Sequence, residues 1–418
     1  MPRLGILDGL RLVAALMVVS YHYVAEGDNA WQGNTHKIFG GADAFTAYGW
    51  LGVELFFVIS GFVICMSAWG RPLGDFVVSR VVRLYPAYWF AIIAITATMA
   101  FFPLLQQRMV SSEILINLTM LQFPVGVPGV SAVFWTLWNE LHFYLLFGVF
   151  VVWRGTTYRR VVGFCGAWTI ASAFAAAVRD PIVSTLVDER FSAFFIGGVT
   201  LYLMYRYRPT LLLWGIFGTS MALALLKSVL LTKDAKPFVG YQLNWRPSAF
   251  IVVGAFVLVA AAVLIPRLAR IRGRWLTVAG AMTYPLYLLH LEIGWMLIRK
   301  FHRGVSPWVL VIGLMAGMLV LSYAVHRFVE RPVARWMRGG LQRALADLRD
   351  PASVERFRVG EPAPAPVATN GTNGTNGTSG SNGSNGSNGS NGSNGSNGSN
   401  GAGGPFASVG VVQPRREA

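Results

Sequence analysis

The side chains best suited to proton transfer in this sequence lie inside long apolar runs. His22 follows Arg11 by eleven positions, which is close to three helical turns. On a helix the two residues would share one stripe and lie about 16 Å apart along the axis. A snorkelling arginine and a hydrogen-bonded structural histidine are the alternative interpretation. The pair therefore predicts a candidate general base deep in a helix that carries a fixed cation near its start.

Two arginines at the start of a later apolar run could bind an anion. Arg80 and Arg83 are three positions apart, so on a helix they share a face. Guanidinium groups bind phosphates through paired hydrogen bonds, and this spacing suits a cofactor pyrophosphate or 3′-phosphate. Arginines beside a membrane span also anchor it to lipid phosphates, so the second interpretation stays open.

Other ionisable side chains stand within apolar runs, where a charge is costly and usually has a function. Glu140 lies among aromatic residues, four positions before Tyr144, while Glu54 and His290 lie in two further runs. A carboxylate in such a place can also pair with an arginine or cap a helix bend, which is the structural alternative. These residues are candidates to complete a site around His22.

The elements that must position these residues are membrane-spanning helices. Hydrophobic residues make up 54% of the 418 residues and charged residues 13%, with a mean hydropathy of +0.49. Soluble domains have about 25% charged residues, so an ordinary soluble enzyme is excluded. The sequence predicts an all-α, polytopic membrane protein with about ten transmembrane helices. The apolar runs lie at residues 10–24, 48–69, 84–103, 133–153, 161–178, 191–204, 209–231, 247–266, 275–298 and 306–326.

The positive charge of the chain fits a membrane topology better than nucleic-acid binding. The formal net charge is +16, and arginines cluster in short segments between apolar runs, such as residues 154–160 and 267–274. Such segments stay in the cytoplasm, which predicts a multi-pass plasma (inner) membrane protein with both termini cytoplasmic and no nucleic-acid partner. Cys65 and Cys165 lie in apolar runs, so neither a disulfide framework nor a metal site is expected.

The composition changes near the end of the chain. Residues 370–401 repeat Asn-Gly-Thr and then Asn-Gly-Ser, a pattern typical of a flexible coil. We therefore predict a membrane-embedded domain at residues 1–345 and a disordered, low-complexity Asn/Gly/Ser/Thr-rich tail at residues 346–418, to which we assign no chemistry. A shorter apolar stretch at residues 114–123 is too short to span a membrane and is expected to be re-entrant or interfacial.

Taken in order, these sequence elements resemble the integral membrane acyltransferase family 3, bacterial multi-span O-acyltransferases of surface glycans, lipo-oligosaccharides and macrolides. The resemblance covers roughly residues 7–335. It departs from the usual family pattern at Thr136, His142 and Glu292, and no soluble hydrolase-like domain follows the last span. The elements that carry it are Arg11-x10-His22, the run at residues 52–62, Arg80-x-x-Arg83, the aromatic segment at residues 135–144, Tyr284-x-x-Tyr287-x-x-His290 and Glu330-Arg331-Pro332.

The resemblance implies an acyl-CoA donor, such as acetyl-CoA, and a hydroxyl acceptor, commonly on a sugar of a surface glycan, glycolipid or glycosylated metabolite. It implies no bound cofactor and no metal. His22 is then the expected general base, which Glu140 could orient. Acyl-CoA would be bound by Arg11, Arg80 and Arg83, with Glu54, Tyr144 and His290 in support.

A proton-coupled transporter or flippase for a glycan or metabolite is the competing hypothesis, because buried His and Glu residues could also relay protons. Two features weigh against it. The two halves of the chain show no convincing inverted repeat, and the strongest acid–base residues crowd the first half. Consumption of acyl-CoA would distinguish an enzyme from a transporter.

Overall fold

The computed structural model describes residues 4–102, 109–233 and 236–349, and within these ranges the secondary structure is helical, with no strand. The predicted all-α, polytopic fold is confirmed. The last helix continues to Arg349, a few residues beyond the predicted domain boundary at residue 345. The remainder of the predicted tail lies outside the described residues.

Eighteen α-helices occur in the described ranges, joined in places by short 3₁₀ and π segments. They are α1 (Gly5–Ser20), α2 (Asp28–Trp31), α3 (Thr35–Phe39), α4 (Ala42–Thr46), α5 (Gly52–Ala68), α6 (Leu73–Phe101), α7 (Ser111–Asn117), α8 (Trp135–Phe147), α9 (Tyr158–Val178), α10 (Pro181–Leu186), α11 (Ser192–Arg206), α12 (Leu211–Lys233), α13 (Lys236–Val239), α14 (Trp245–Leu264), α15 (Pro266–Ala269), α16 (Arg274–Phe301), α17 (Pro307–Val325) and α18 (Arg331–Arg349).

Eight continuous helical segments of the described chain are long and apolar enough to cross a membrane. The two remaining predicted runs correspond to α11, which has only 15 residues, and to α16, which has 28 residues and carries charged side chains. The eight segments are Gly5–Ala25, Ala42–Ala68, Leu73–Phe101, Ala132–Val152, Tyr158–Val178, Leu211–Lys233, Trp245–Leu264 and Pro307–Arg349.

Helices α5 and α11 approach so closely that only glycine fits at their crossing. A Cβ atom added to Gly198 would lie 2.0 Å from the carbonyl oxygen of Val58, and one added to Gly61 would lie 2.2 Å from that of Phe195. Small residues at such crossings let helix backbones pack directly in a membrane. The contact fixes the position of α5, which carries Ser60 and Glu54.

Helix α1 packs along α16 in a similar way. A Cβ atom at Gly280 would lie 2.4 Å from the Oδ1 atom of Asp8, and one at Gly294 would lie 2.2 Å from the Oη atom of Tyr23. After Ser20 the helical path continues as a π-helical segment, Tyr21–Ala25, which contains His22. This packing brings the end of the first span against the middle of α16.

Candidate functional site

A cavity of about 920 Å³ opens among α1, α5, α6, α8, α16 and α18, a size in the range of small-molecule sites. Its lining is rich in arginine, with four carboxylates interspersed. The charged and hydroxylated side chains that line it include Asp8, Arg11, Ser60, Arg71, Asp75, Arg80, Arg83, Thr136, Glu140, Tyr144, Tyr284, Tyr287, Glu330, Arg331 and Arg338.

Glu140 is held in this cavity by two hydroxyl groups. The Tyr144 hydroxyl donates to Glu140 Oε1 at 2.5 Å, and the Ser60 hydroxyl donates to the same oxygen at 2.9 Å. The Arg80 guanidinium lies over the Tyr144 ring, 5.7 Å from its centroid. Because Tyr144 follows Glu140 by four residues on α8, one turn of helix brings the carboxylate, the phenol and the cation together.

Two of the other arginines each lie beside a carboxylate. Arg83 Nη1 lies 2.5 Å from Glu330 Oε1, and the second carboxylate oxygen of Glu330 lies 3.0 Å from His326 Nδ1. Arg11 Nη1 lies 3.8 Å from Asp8 Oδ1, three residues earlier on α1. The Arg-x-x-Arg and Glu-Arg-Pro elements of the sequence therefore meet in one ion pair between α6 and the π-helical segment His326–Glu330.

Two tyrosines of α16 also line the cavity. Tyr287 Oη lies 2.9 Å from Thr136 Oγ1, and the Tyr284 hydroxyl donates to the carbonyl of Leu84 at 3.1 Å. Both Thr136 and Tyr287 are buried. Hydrogen bonds fix these phenols, so the cavity wall formed by α16 is rigid.

His22 and His290 form a buried pair behind Tyr287. His290 Nε2 lies 3.1 Å from His22 Nδ1, and the rings of Tyr287 and His290 are 5.7 Å apart between centroids. His290 Nδ1 donates to the carbonyl of Tyr287 at 2.8 Å, and His22 Nδ1 is 2.8 Å from the carbonyl of Val18. Since a carbonyl can only accept, both Nδ1 atoms carry protons. In neutral rings both Nε2 atoms then lack a proton: His290 Nε2 faces His22 Nδ1, and His22 Nε2 is directed away from His290.

The basic nitrogen of His22 faces a carboxyl group. Glu26 Oε2 lies 3.2 Å from His22 Nε2, and Trp295 Nε1 donates to the carbonyl of His22 at 2.7 Å. Glu26 follows the span Gly5–Ala25, and burial, with the nearby Glu292, raises its pKa to about 8. Glu292 also accepts from the backbone N–H of Ala132 at 3.3 Å.

Glu54 lies in a different environment from Glu140. The hydroxyl of Ser228, on α12, is 2.8 Å from both Glu54 carboxylate oxygens. Lys227, which precedes Ser228 on α12, forms an ion pair with Glu189. In the neighbouring α10–α11 connection, burial raises the pKa of Asp188 to about 8. Glu54 is thus a contact between α5 and α12, and it does not line the cavity described above.

The family model described as "Acyltransferase domain" matches residues 4–327. This range contains both histidines of the pair and the cavity lining apart from Glu330 and the α18 residues. The chain belongs to the acyltransferase 3 family.

Two relatives cover most of this acyltransferase. "Acyltransferase MdmB" of Streptomyces mycarofaciens is 26% identical over 395 residues, which cover 84% of this chain and 97% of the relative. YrhL of Bacillus subtilis (strain 168), named as a candidate peptidoglycan O-acetyltransferase, is 21% identical over 78% of this chain and 54% of its own length. No solved structure is significantly similar. Family and relatives together support membrane O-acyltransferase activity.

In this acyltransferase the residues singled out in the sequence fall into three places. Arg11, Arg80, Arg83, Glu140 and Tyr144 line the cavity, His22 and His290 form the pair behind it, and Glu54 contacts α12. Glu140 contacts Ser60 and Tyr144, whereas the carboxyl beside His22 belongs to Glu26. Sequence reasoning missed Glu26, although its place four residues after His22 predicts a contact on one helical face.

Proposed function

We propose that this membrane protein transfers an acetyl or other short acyl group from acyl-CoA to a hydroxyl group, on a sugar of a surface glycan, glycolipid or glycosylated metabolite. One observation carries the proposal. Tyr287 lines the arginine-rich cavity, and its ring contacts His290, one member of a buried histidine pair. Phosphate-binding cations and a neutral imidazole are the two groups that this reaction needs.

In the proposed reaction, the hydroxyl oxygen of the acceptor attacks the thioester carbonyl. His22 Nε2 takes the hydroxyl proton, the new C–O ester bond forms and the C–S bond breaks. The proton then passes to the departing CoA thiolate, so that the products are the ester and free CoA. The contacts of Nδ1 with Val18 and His290 support this role, because they leave Nε2 as the basic nitrogen.

The other charged residues singled out in the sequence also have proposed tasks. The positive charge that attracts the donor phosphates comes from Arg80 and Arg11. Arg83 contributes less, because it is paired with Glu330. Glu140 positions Tyr144 and Ser60 at the cavity wall. Glu54 supports the fold of α5 through Ser228.

The proposed setting is the plasma membrane with both termini in the cytoplasm. CoA is a cytoplasmic molecule, so the arginine-lined mouth would face the cytoplasm, in agreement with the clusters of arginine between the apolar runs. The described part of α18 up to Leu345 would close the membrane domain, and the tail after it would take no part in the chemistry.

The test compares a strain lacking the gene with strains carrying wild type, His22→Ala or His36→Ala. His36 is a matched control, because it lies in α3 and contacts Asp43 outside the cavity. Mass spectrometry of surface glycans and secreted metabolites should find one compound that lacks an acyl group in the deletion strain. Wild type and His36→Ala should restore the group, and His22→Ala should reduce its formation by at least about 100-fold.

A second measurement follows the donor. Membranes containing the wild-type protein should transfer label from acetyl-labelled acetyl-CoA to the compound found by mass spectrometry. Unchanged acylation together with intracellular accumulation of a glycan or metabolite would support the transporter hypothesis instead. Full activity of His22→Ala would remove His22 as the base.

A further inference from the structure

The amphipathic helix α18 runs along the mouth of the cavity. Its residues that line the cavity are Arg331, Ala334, Arg338 and Gln342, at intervals of three or four positions. Such intervals place them on one stripe of the helix. Leu345 of the same helix packs against Gly74 at the start of α6, where a Cβ atom would lie 2.7 Å from the leucine methyl. The stripe therefore faces the cavity that also contains Arg80.

The arginines of the cavity differ in what they already contact. Arg83 pairs with Glu330, and Arg11 lies beside Asp8. Arg80 is half-buried against the rings of Phe76 and Tyr144. Within the described ranges of the chain, Arg338 is exposed and has no ion pair with a carboxylate.

The order of these arginines matches the order of the charged groups in CoA. In CoA the pyrophosphate lies between the pantetheine arm and the ribose, and the 3′-phosphate lies at the end remote from the thioester. Arg80 is half-buried against Tyr144, which donates to Glu140, whereas Arg338 is exposed on the α18 wall. We propose that Arg338, with Arg331 on the same stripe, binds the 3′-phosphate of the donor while Arg80 faces its pyrophosphate. This inference rests on acyl-CoA as the donor.

Helix α18 provides its own matched control. Arg335 is exposed on the same helix and does not line the cavity, so Arg335→Ala removes an equal charge without changing a lining residue. The affinities of wild type, Arg338→Ala and Arg335→Ala for CoA and for 3′-dephospho-CoA would be measured by calorimetry on the full chain in a neutral detergent. A thermal unfolding curve of each variant identifies any loss of folded protein.

Loss of a bidentate arginine–phosphate contact should weaken CoA binding by about tenfold or more in Arg338→Ala. The affinity of that variant for dephospho-CoA should stay within about twofold of wild type, and Arg335→Ala should bind both compounds like wild type. Equal losses for both compounds, or equal affinities of the two variants for CoA, would overturn the inference. If the folded wild-type protein binds neither compound, the CoA donor itself is excluded, and the inference fails with it.

Discussion

The crossing of α5 and α11 allows a stability prediction in which one substitution has opposite effects at two sites. In Gly198→Ala the new Cβ would lie 2.0 Å from the Val58 oxygen, although such contacts essentially never fall below 3.0 Å. The helices must therefore separate by about 1 Å at this point. Overpacking costs about 1–3 kcal/mol, and the obstacle here is backbone, so the upper end applies.

Alanine also favours a helix over glycine by about 0.5–1 kcal/mol. The net effect of Gly198→Ala is then a loss of about 2 kcal/mol in the free energy of unfolding. Gly254 in α14 has no atom within 4 Å of an added Cβ, so Gly254→Ala should gain about 0.5–1 kcal/mol. The free energies of unfolding of the two variants should therefore differ by about 3 kcal/mol.

The chain carries its own reporters for this measurement. Cys65 on α5 and Cys165 on α9 are both free and buried, so a thiol-reactive fluorophore labels them only when the helices unfold. Heating the purified variants in detergent with such a fluorophore should give a lower midpoint for Gly198→Ala than for wild type, and a higher one for Gly254→Ala. Activity should fall in Gly198→Ala as well, because Ser60 next to the crossing donates to Glu140. A Gly198→Ala midpoint at or above that of wild type would refute the close packing.

Two further predictions concern the α10–α11 connection and the tail. The folded chain keeps a proton on Asp188 up to about pH 8, while an unfolded aspartate loses it near pH 4. Stability should therefore fall as pH rises from about 4 to 8, and Asp188→Asn should flatten that slope in the thiol-labelling assay, whereas an unchanged slope would contradict it. Deleting residues 351–418 should leave acyl transfer near the wild-type rate in isolated membranes, and a large loss would give the tail a function.

The sequence allowed the helices and some contacts within a single helix to be predicted. Long apolar runs predict spans because a membrane leaves no other way to satisfy the backbone. The contact between Glu140 and Tyr144 follows from their separation of four residues on α8. Charge and helical spacing likewise predict that Arg80 and Arg83 share one face of α6.

Contacts between helices could not be predicted from the sequence alone. Ser60 and Glu140 are 80 residues apart, Arg83 and Glu330 are 247 apart, and His22 and His290 are 268 apart. No local spacing specifies which of several spans pack together. The prediction that Glu140 could orient His22 named a carboxylate far away in the sequence. The carboxyl group found beside His22 belongs to Glu26, four residues later in the chain.

The first span departs from a regular α-helix at its end, in the π-helical segment Tyr21–Ala25. A π turn contains an extra residue, which rotates the residues after it relative to a regular α-helix. Arg11 lines the cavity, whereas His22 is turned toward His290 and Glu26 behind Tyr287. The regular spacing predicted one wall bearing both residues. In the structure Tyr287 lies between the cavity and the histidine pair, because it lines the cavity and its ring contacts His290.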